Sequence, residues 1–315
     1  MNFDQVPDYV SPQDYSYDSF PPATDAPIDM KTLAPSLTPS YPTVTLNIPY
    51  AIKSDKTLHL HVITPPITPD SPSSFPLIMW VQGSAFHKQS LGNHMAHLIE
   101  VAKHGYVVAM VEYRWAPDDP FPAQIKDLKT ATRFMLQHAS EYHVDPNRYL
   151  AWGDSSGGHT VTTAVVTSNM KQFNDEDTSI FPLHYAACVD YYGPTDISRM
   201  NKVPSTQDHV TAHSLEGEFF GTQNLYDVPK LVQTGNPITY ITDSAKLPPF
   251  LIMHGNKDRL VPFEQSVLLY QALKQHHQFV DFYKIDNSDH GTDAFFDPAV
   301  LKVTLAFIQK ALNSL

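Results

Sequence analysis

Along most of the chain, apolar positions follow two alternating rhythms. The stretches TVTLNIPYA and LHLHVITP largely alternate apolar and polar residues, and the polar KSDKT between them predicts an antiparallel hairpin. Next come short β-branched and aromatic runs, PLIMWVQG, YVVAMVEYR, RYLAWGD, YAACVDYYG, PFLIMHG and VDFYKID, each reading as a strand. Between them, HMAHLIEVAKHG, QIKDLKTATRFMLQHASEY, GHTVTTAVVTSNM, EQSVLLYQALKQHH and VLKVTLAFIQKALNSL place apolar residues three and four apart, the spacing of helices. Strands alternating with helices imply an α/β fold. Its central sheet is mostly parallel, with helices on both faces, because parallel neighbours need crossover connections.

Two stretches break the rhythm. Residues 1–42 are rich in Pro, Asp, Ser and Tyr, carry Lys31 as their one basic residue and show no period, so they are expected to form an extension without its own core. Their aromatic residues, Phe3, Tyr9, Tyr15, Tyr17 and Phe20, exceed what a solvated linker needs. The remainder, 43–315, reads as one domain. Within it, about 197–247 mixes polar and aromatic residues between two strands, which predicts a cap-like insertion.

Composition narrows the function. The 315 residues are 42% hydrophobic and 17% charged, ordinary for a globular chain, and the net charge of −12 comes without a basic patch. Nucleic acid and anionic membranes are therefore not expected as partners. The one cysteine, Cys188, lies in an apolar run and reads as a buried small hydrophobe. No signal-like leader or membrane-length apolar run is present, so a cytoplasmic location is expected. Glycine is scarce: 12 residues, where average use of about 7% would give about 22.

Candidate chemistry lies where strands end. RYLAWGDSSGGH joins a strand to a helix and contains GxSxG as Gly153, Asp154, Ser155, Ser156 and Gly157. A nucleophile elbow needs small residues at both ends because the turn is sharp, and only Ser155 has that spacing. A serine hydroxyl needs a base, and the base an orienting carboxylate. The chain order serine, acid, histidine points to Asp258 in HGNKDRLVP and His290 in DNSDHGTD, each at a strand end. His254 precedes the acid, and His159 lies on the helix after the elbow, so both are poorer bases. Asp154 is expected to brace the elbow. The amide of Ser156 is expected to stabilise an oxyanion, joined by donors from the loop after PLIM, where Gln82, Gly83, Ser84 and Ala85 stand. Glu112, Tyr113 and Arg114 at a strand end read as groups that tie loops together, with an Arg–carboxylate brace expected. His59 and His61 share a strand face and read as paired surface residues, since no Cys or carboxylate nearby completes a metal set. No Walker A, GxGxxG or HExxH pattern occurs, so neither cofactor nor metal is called for.

The motifs QGSAF, EYRWAPDDPFPAQIKD, WGDSSGGH, DYYGPTDI, HGNKDRLVPFEQS and DHGTDAF, in this order over about residues 43–315, resemble α/β-hydrolases of the carboxylesterase type. The resemblance lies close to the hormone-sensitive-lipase-like and acetylxylan/feruloyl esterase branches. The resemblance implies the α/β-hydrolase fold, Ser155 as nucleophile, Asp258 as acid and His290 as base. It implies the amides of Ser84, Ala85 and Ser156 as oxyanion donors, with Gly83 and Tyr191 or Tyr192 approaching the substrate; a core position for either tyrosine is equally open. The chain departs from the family's HGGGW at Gln82, Ser84 and Ala85, which bears on acyl size.

The expected activity is therefore hydrolysis of a small-molecule ester through an acyl-enzyme, with acetyl or other short acyl groups first and carbohydrate or feruloyl esters as the wider class. Two alternatives stay open: an amidase or exopeptidase using the same triad, and a non-catalytic binding homologue. The oligomeric state, a homo-oligomer included, is not specified by the sequence.

Overall fold

The computed structural model describes residues 11–23, 27–35, 38, 41–177 and 181–315. Phe3 and Tyr9, singled out above, lie outside the described residues. The chain divides into two units, Met1–Thr38 and Pro39–Leu315. In the first, Ser16 caps a single 3₁₀ turn, Tyr17–Ser19, and the rings of Tyr15 and Phe20 meet edge to face at 5.6 Å.

The second unit is built on one eight-stranded sheet. Strands β1 (Thr43–Lys53) and β2 (Lys56–Thr64) form the antiparallel hairpin. Ser54 and Asp55 turn it with φ of 48° and 58°, the left-handed pair that suits the twist of a two-residue hairpin loop. The chain continues through β3 (Phe75–Val81), α1 (Met95–Lys103), β4 (Val107–Val111), α2 (Ala123–Gln137), β5 (Val144–Asp154), α3 (Ser156–Val166) and β6 (Cys188–Tyr191). Two short helices, α4 (Leu215–Phe219) and α5 (Pro229–Gly235), occupy the long interval before β7 (Phe250–Gly255). After them come α6 (Glu264–Gln275), β8 (Val280–Ile285) and α7 (Pro298–Leu312). The strand order is β1-β2-β4-β3-β5-β6-β7-β8; β2 meets both neighbours antiparallel, and β4 through β8 run parallel.

The period of two explains why both faces are covered. On β3, Leu77, Met79 and Val81 point into one core with Ile125 and Leu128 of α2, Val161 of α3 and Leu269 of α6. Ile78 and Trp80 point the other way, into a core shared with Leu98 and Val101 of α1 and Leu301 and Ile308 of α7. The free cysteine, Cys188, is buried on the first face. A third, smaller core joins Phe219 and Phe220 beside α4, Leu225 and Val232 to Phe86, Ala116 and Val261. Parallel strands bring their carboxyl ends to one edge, so the segments after β3, β5, β7 and β8 gather there. Among the described residues, no helix is long and apolar enough to cross a membrane.

Candidate active site

Ser155 occupies the turn between β5 and α3 with φ 52° and ψ −128°, a left-handed conformation that a side chain rarely adopts. The turn is held from several sides. The Ser155 N–H donates to the Tyr191 carbonyl at 2.9 Å, and the His159 N–H donates to the Ser155 carbonyl at 3.1 Å. Glycine is needed for close approach: a Cβ on Gly83 would lie 2.5 Å from Ser155 Cβ, and one on Gly157 would strike the Val81 carbonyl.

Three side chains from three loops meet here. The Ser155 hydroxyl lies 2.9 Å from His290 Nε2, and His290 Nδ1 lies 2.7 Å from Asp258 Oδ2. With Nδ1 facing a carboxylate, the proton belongs on Nδ1, and Nε2 is left to accept from the hydroxyl. Asp258 has no exposed side-chain surface. Its Oδ1 accepts the N–H groups of Leu260 and Val261, both at 2.9 Å. Burial pushes this carboxyl up, but hydrogen bonds from His254 and His290 outweigh it and hold the group at about 2. The neighbouring Asp289 accepts the N–H groups of His290 and Arg259 and shapes the loop.

Asp154 does brace the elbow. Its Oδ1 accepts the Gly83 N–H at 2.8 Å, its Oδ2 accepts the Tyr192 hydroxyl at 3.2 Å, and His94 Nε2 stands 3.7 Å away. Burial raises this carboxyl, and it is farther from ionising than an exposed aspartate. Arg114 is a brace too: it grips Asp127 through Nε and Nη2 and reaches Glu176 at 2.6 Å. His59 pairs with Glu112 at 3.0 Å, and His61 Nδ1 accepts the Asn47 N–H.

The expected oxyanion donors do not stand alike. Ser84 donates its N–H to Ser156 Oγ at 2.9 Å, so that amide is already committed. The amides of Ala85 and Ser156 have no partner among the described residues. Ser84 Oγ is tied down by the His87 carbonyl at 2.6 Å and the Tyr113 hydroxyl at 2.8 Å, and Tyr113 also lies 3.4 Å from Ser156 Oγ. Tyr113, at the strand end in EYRW, thus ties this loop to the residue after the nucleophile.

Both tyrosines take the core position that the sequence leaves open beside a substrate-facing one. Tyr191 is fully buried, with its hydroxyl 2.7 Å from Thr304 of α7, because it is the last residue of a strand covered on both faces. Tyr192 is also buried; its ring lies 4.8 Å from that of His290 and its hydroxyl is spent on Asp154. Neither offers a surface to substrate. Gly83 likewise packs against the elbow, its N–H engaged by Asp154. His254, set aside as a base, touches the acid instead, at 3.1 Å from Asp258 Oδ2. A cleft of about 850 Å³ between α1 and α7 includes none of these residues.

Comparison with known proteins gives the family and the fold. The BD-FAE family model matches residues 64–273. Among curated relatives, the probable carboxylic ester hydrolase LipM of Mycobacterium tuberculosis is 30% identical over 185 residues, covering 58% of this chain and 40% of the relative. The esterase LipC of the same organism is 28% identical over 225 residues, covering 69% of this chain and 53% of LipC. The chain thus spans about half the length of these relatives or less. Among solved structures, a truncated carbohydrate esterase from gut microbiota superposes with a TM-score of 0.75 at 25% identity, covering 89% of this chain and 99% of that one. Esterase B from Lactobacillus rhamnosis shares the fold at 16% identity, with a TM-score of 0.72 over 87% of this chain and 86% of that one. The chain belongs to the BD-FAE family and carries the α/β-hydrolase fold of carboxylesterases.

Proposed function

We propose that this protein is a serine esterase that hydrolyses carboxylic esters through an acyl-enzyme on Ser155. The observation that carries the reading is the continuous hydrogen-bond chain from Ser155 Oγ through His290 to Asp258. In the first half-reaction Ser155 Oγ attacks the ester carbonyl carbon while His290 Nε2 takes the hydroxyl proton. Asp258 holds the imidazole in the required tautomer and balances the positive charge it acquires. The N–H groups of Ala85 and Ser156 receive the developing oxyanion. Collapse of the tetrahedral adduct expels the alcohol, which takes the proton from Nε2. Water then attacks the acyl-enzyme with His290 again as base, releasing the acid and restoring Ser155.

The substrate class proposed is a short acyl ester, acetyl foremost, carried on a carbohydrate. The carbohydrate esterase among the structural relatives supports the alcohol side. The filled oxyanion loop supports a small acyl group, since Ser84 and Ala85 bring side chains where the resembled family has glycine. Assays with p-nitrophenyl acetate and an acetylated xylo-oligosaccharide test the reading. Ser155→Ala is expected to lower kcat/KM at least about 10³-fold. Turnover equal to that of the unsubstituted protein would overturn it.

A further inference from the structure

The acid of the proposed triad is held by a second histidine. Asp258 Oδ2 lies 2.7 Å from His290 Nδ1 and 3.1 Å from His254 Nε2, so one oxygen faces two imidazoles. The His254 ring comes from β7 and is completely buried. Its Nε2 also lies 3.0 Å from the Val261 carbonyl. Both neighbours of Nε2 are acceptors, so Nε2 carries the proton. At 2.7 Å on the other side, Nδ1 then accepts from the Ser266 hydroxyl of α6. The loop 258–261 wraps this ring: the Val261 N–H binds Asp258 Oδ1, and the Val261 carbonyl takes part of the His254 proton.

We propose that His254 is a positioning residue for ester hydrolysis, fixing the Asp258 carboxylate through Nε2–H while Ser266 fixes the His254 ring. This rests on the roles given above to Ser155, His290 and Asp258. A carboxylate free to rotate could turn Oδ2 away from His290. With Leu260, Val261 and His254 all donating to it, its plane is fixed, and with it the direction of His290 Nδ1–H. His254 also shares the negative charge of Asp258. Without that share, the carboxylate would hold the protonated, inactive form of His290 more tightly, and the acid limb of activity would move to higher pH.

The pH dependence of kcat/KM for p-nitrophenyl acetate tests this in the full-length protein. The other ionisable groups around the pair are Asp289 and Arg259 on the flanking loops, Lys257 beside the acid, Asp154 below the elbow and Tyr192 against His290; all stay unaltered in the variants. His254→Phe removes the donor, and kcat/KM is expected to fall on the order of tenfold, the scale of one hydrogen bond to a charged group. Its acid limb is expected to rise by about half a pH unit. His254→Gln keeps an N–H near the Nε2 position and is expected to return the limb toward its original place. A residue that merely fills space would lower activity at every pH alike, so an unmoved limb in His254→Phe overturns the proposal. Should that variant not fold, Ser266→Ala removes the bond that anchors the ring at Nδ1, lets Nε2–H slacken on Asp258 and decides the matter: a smaller shift in the same direction supports the proposal, and no shift overturns it. Full activity in Ser155→Ala would instead remove the ester-hydrolase reading itself, a separate outcome.

Discussion

At Ser155 the backbone sits at φ 52° and ψ −128°, a region where a Cβ is crowded by its own main chain. The proposed nucleophile is thus held up by a conformation that the surrounding contacts impose. Comparing two substitutions isolates that strain, since neither Ser155→Ala nor Ser155→Gly keeps the hydroxyl. Alanine retains the crowded Cβ and glycine does not. Strain of about 1–3 kcal/mol is set against roughly 0.5–1 kcal/mol for the greater freedom of glycine in the unfolded chain. Ser155→Gly is therefore expected to be more stable than Ser155→Ala by about 1 kcal/mol in urea unfolding. Equal stabilities would mean that the strain at the elbow is no greater than the roughly 0.5–1 kcal/mol that the freedom of glycine costs.

At the scale of elements, the insertion between β6 and β7 reaches the oxyanion loop through a ring stack and through Glu218, 3.2 Å from His87 Nε2. Phe219 of α4 lies parallel to Phe86 at 3.7 Å, and the edge of His159 meets both rings. Phe86 directly follows Ala85, whose N–H is one of the two open donors, so the stack closes space beside the proposed acyl site. Phe219→Ala is expected to cost about 3 kcal/mol of stability. It is also expected to raise the ratio of kcat/KM for p-nitrophenyl butyrate over acetate; an unchanged ratio would place the stack away from the acyl group. Such contacts mark the limit of what the sequence discloses. Alternation in PLIMWV is enough to predict that Leu77 and Ile78 face opposite cores, because the period of two is local. The elbow is equally local, and GxSxG between a strand and a helix names Ser155. The positions of Asp258 and His290 follow from chain order, since parallel strands deliver their ends to one edge. Which face of a doubly covered strand an aromatic takes is not local, so Tyr191 could not be assigned to the core in advance. Nor could Ser84, whose amide is engaged by Ser156, a residue 72 positions later.

For the molecule as a whole, two buried carboxyls at neighbouring strands pull stability in opposite directions with pH. Asp258 is held at about 2, below its ordinary 3.8, by its histidine partners against the opposing effect of burial. The folded state therefore binds fewer protons than the unfolded chain between about 4 and 2. Stability from this group is complete above about 4 and is lost as pH falls through about 2, an effect of roughly 2 kcal/mol. Asp190 on β6 is the reverse case. Fully buried, with the Gly193 N–H donating to its Oδ1 at 2.9 Å, it is raised to about 7, chiefly by burial and then by the charge of Asp154. The folded state here binds more protons than the unfolded chain between about 4 and 7, so this group favours folding below about 4 and loses that contribution as pH rises through about 7. Urea unfolding from pH 8 to pH 2 separates the two. Asp258→Asn is expected to flatten the acid side of the stability curve below about pH 4. Asp190→Asn keeps an oxygen for the Gly193 N–H and has no charge to bury, so it is expected to match the unsubstituted protein near pH 4 and to exceed it by about 1 kcal/mol or more at pH 8. Parallel curves for Asp190→Asn and the unsubstituted protein would mean that the Asp190 carboxyl ionises in the folded chain as readily as in the unfolded one, and that the buried end of β6 is better solvated than its burial implies.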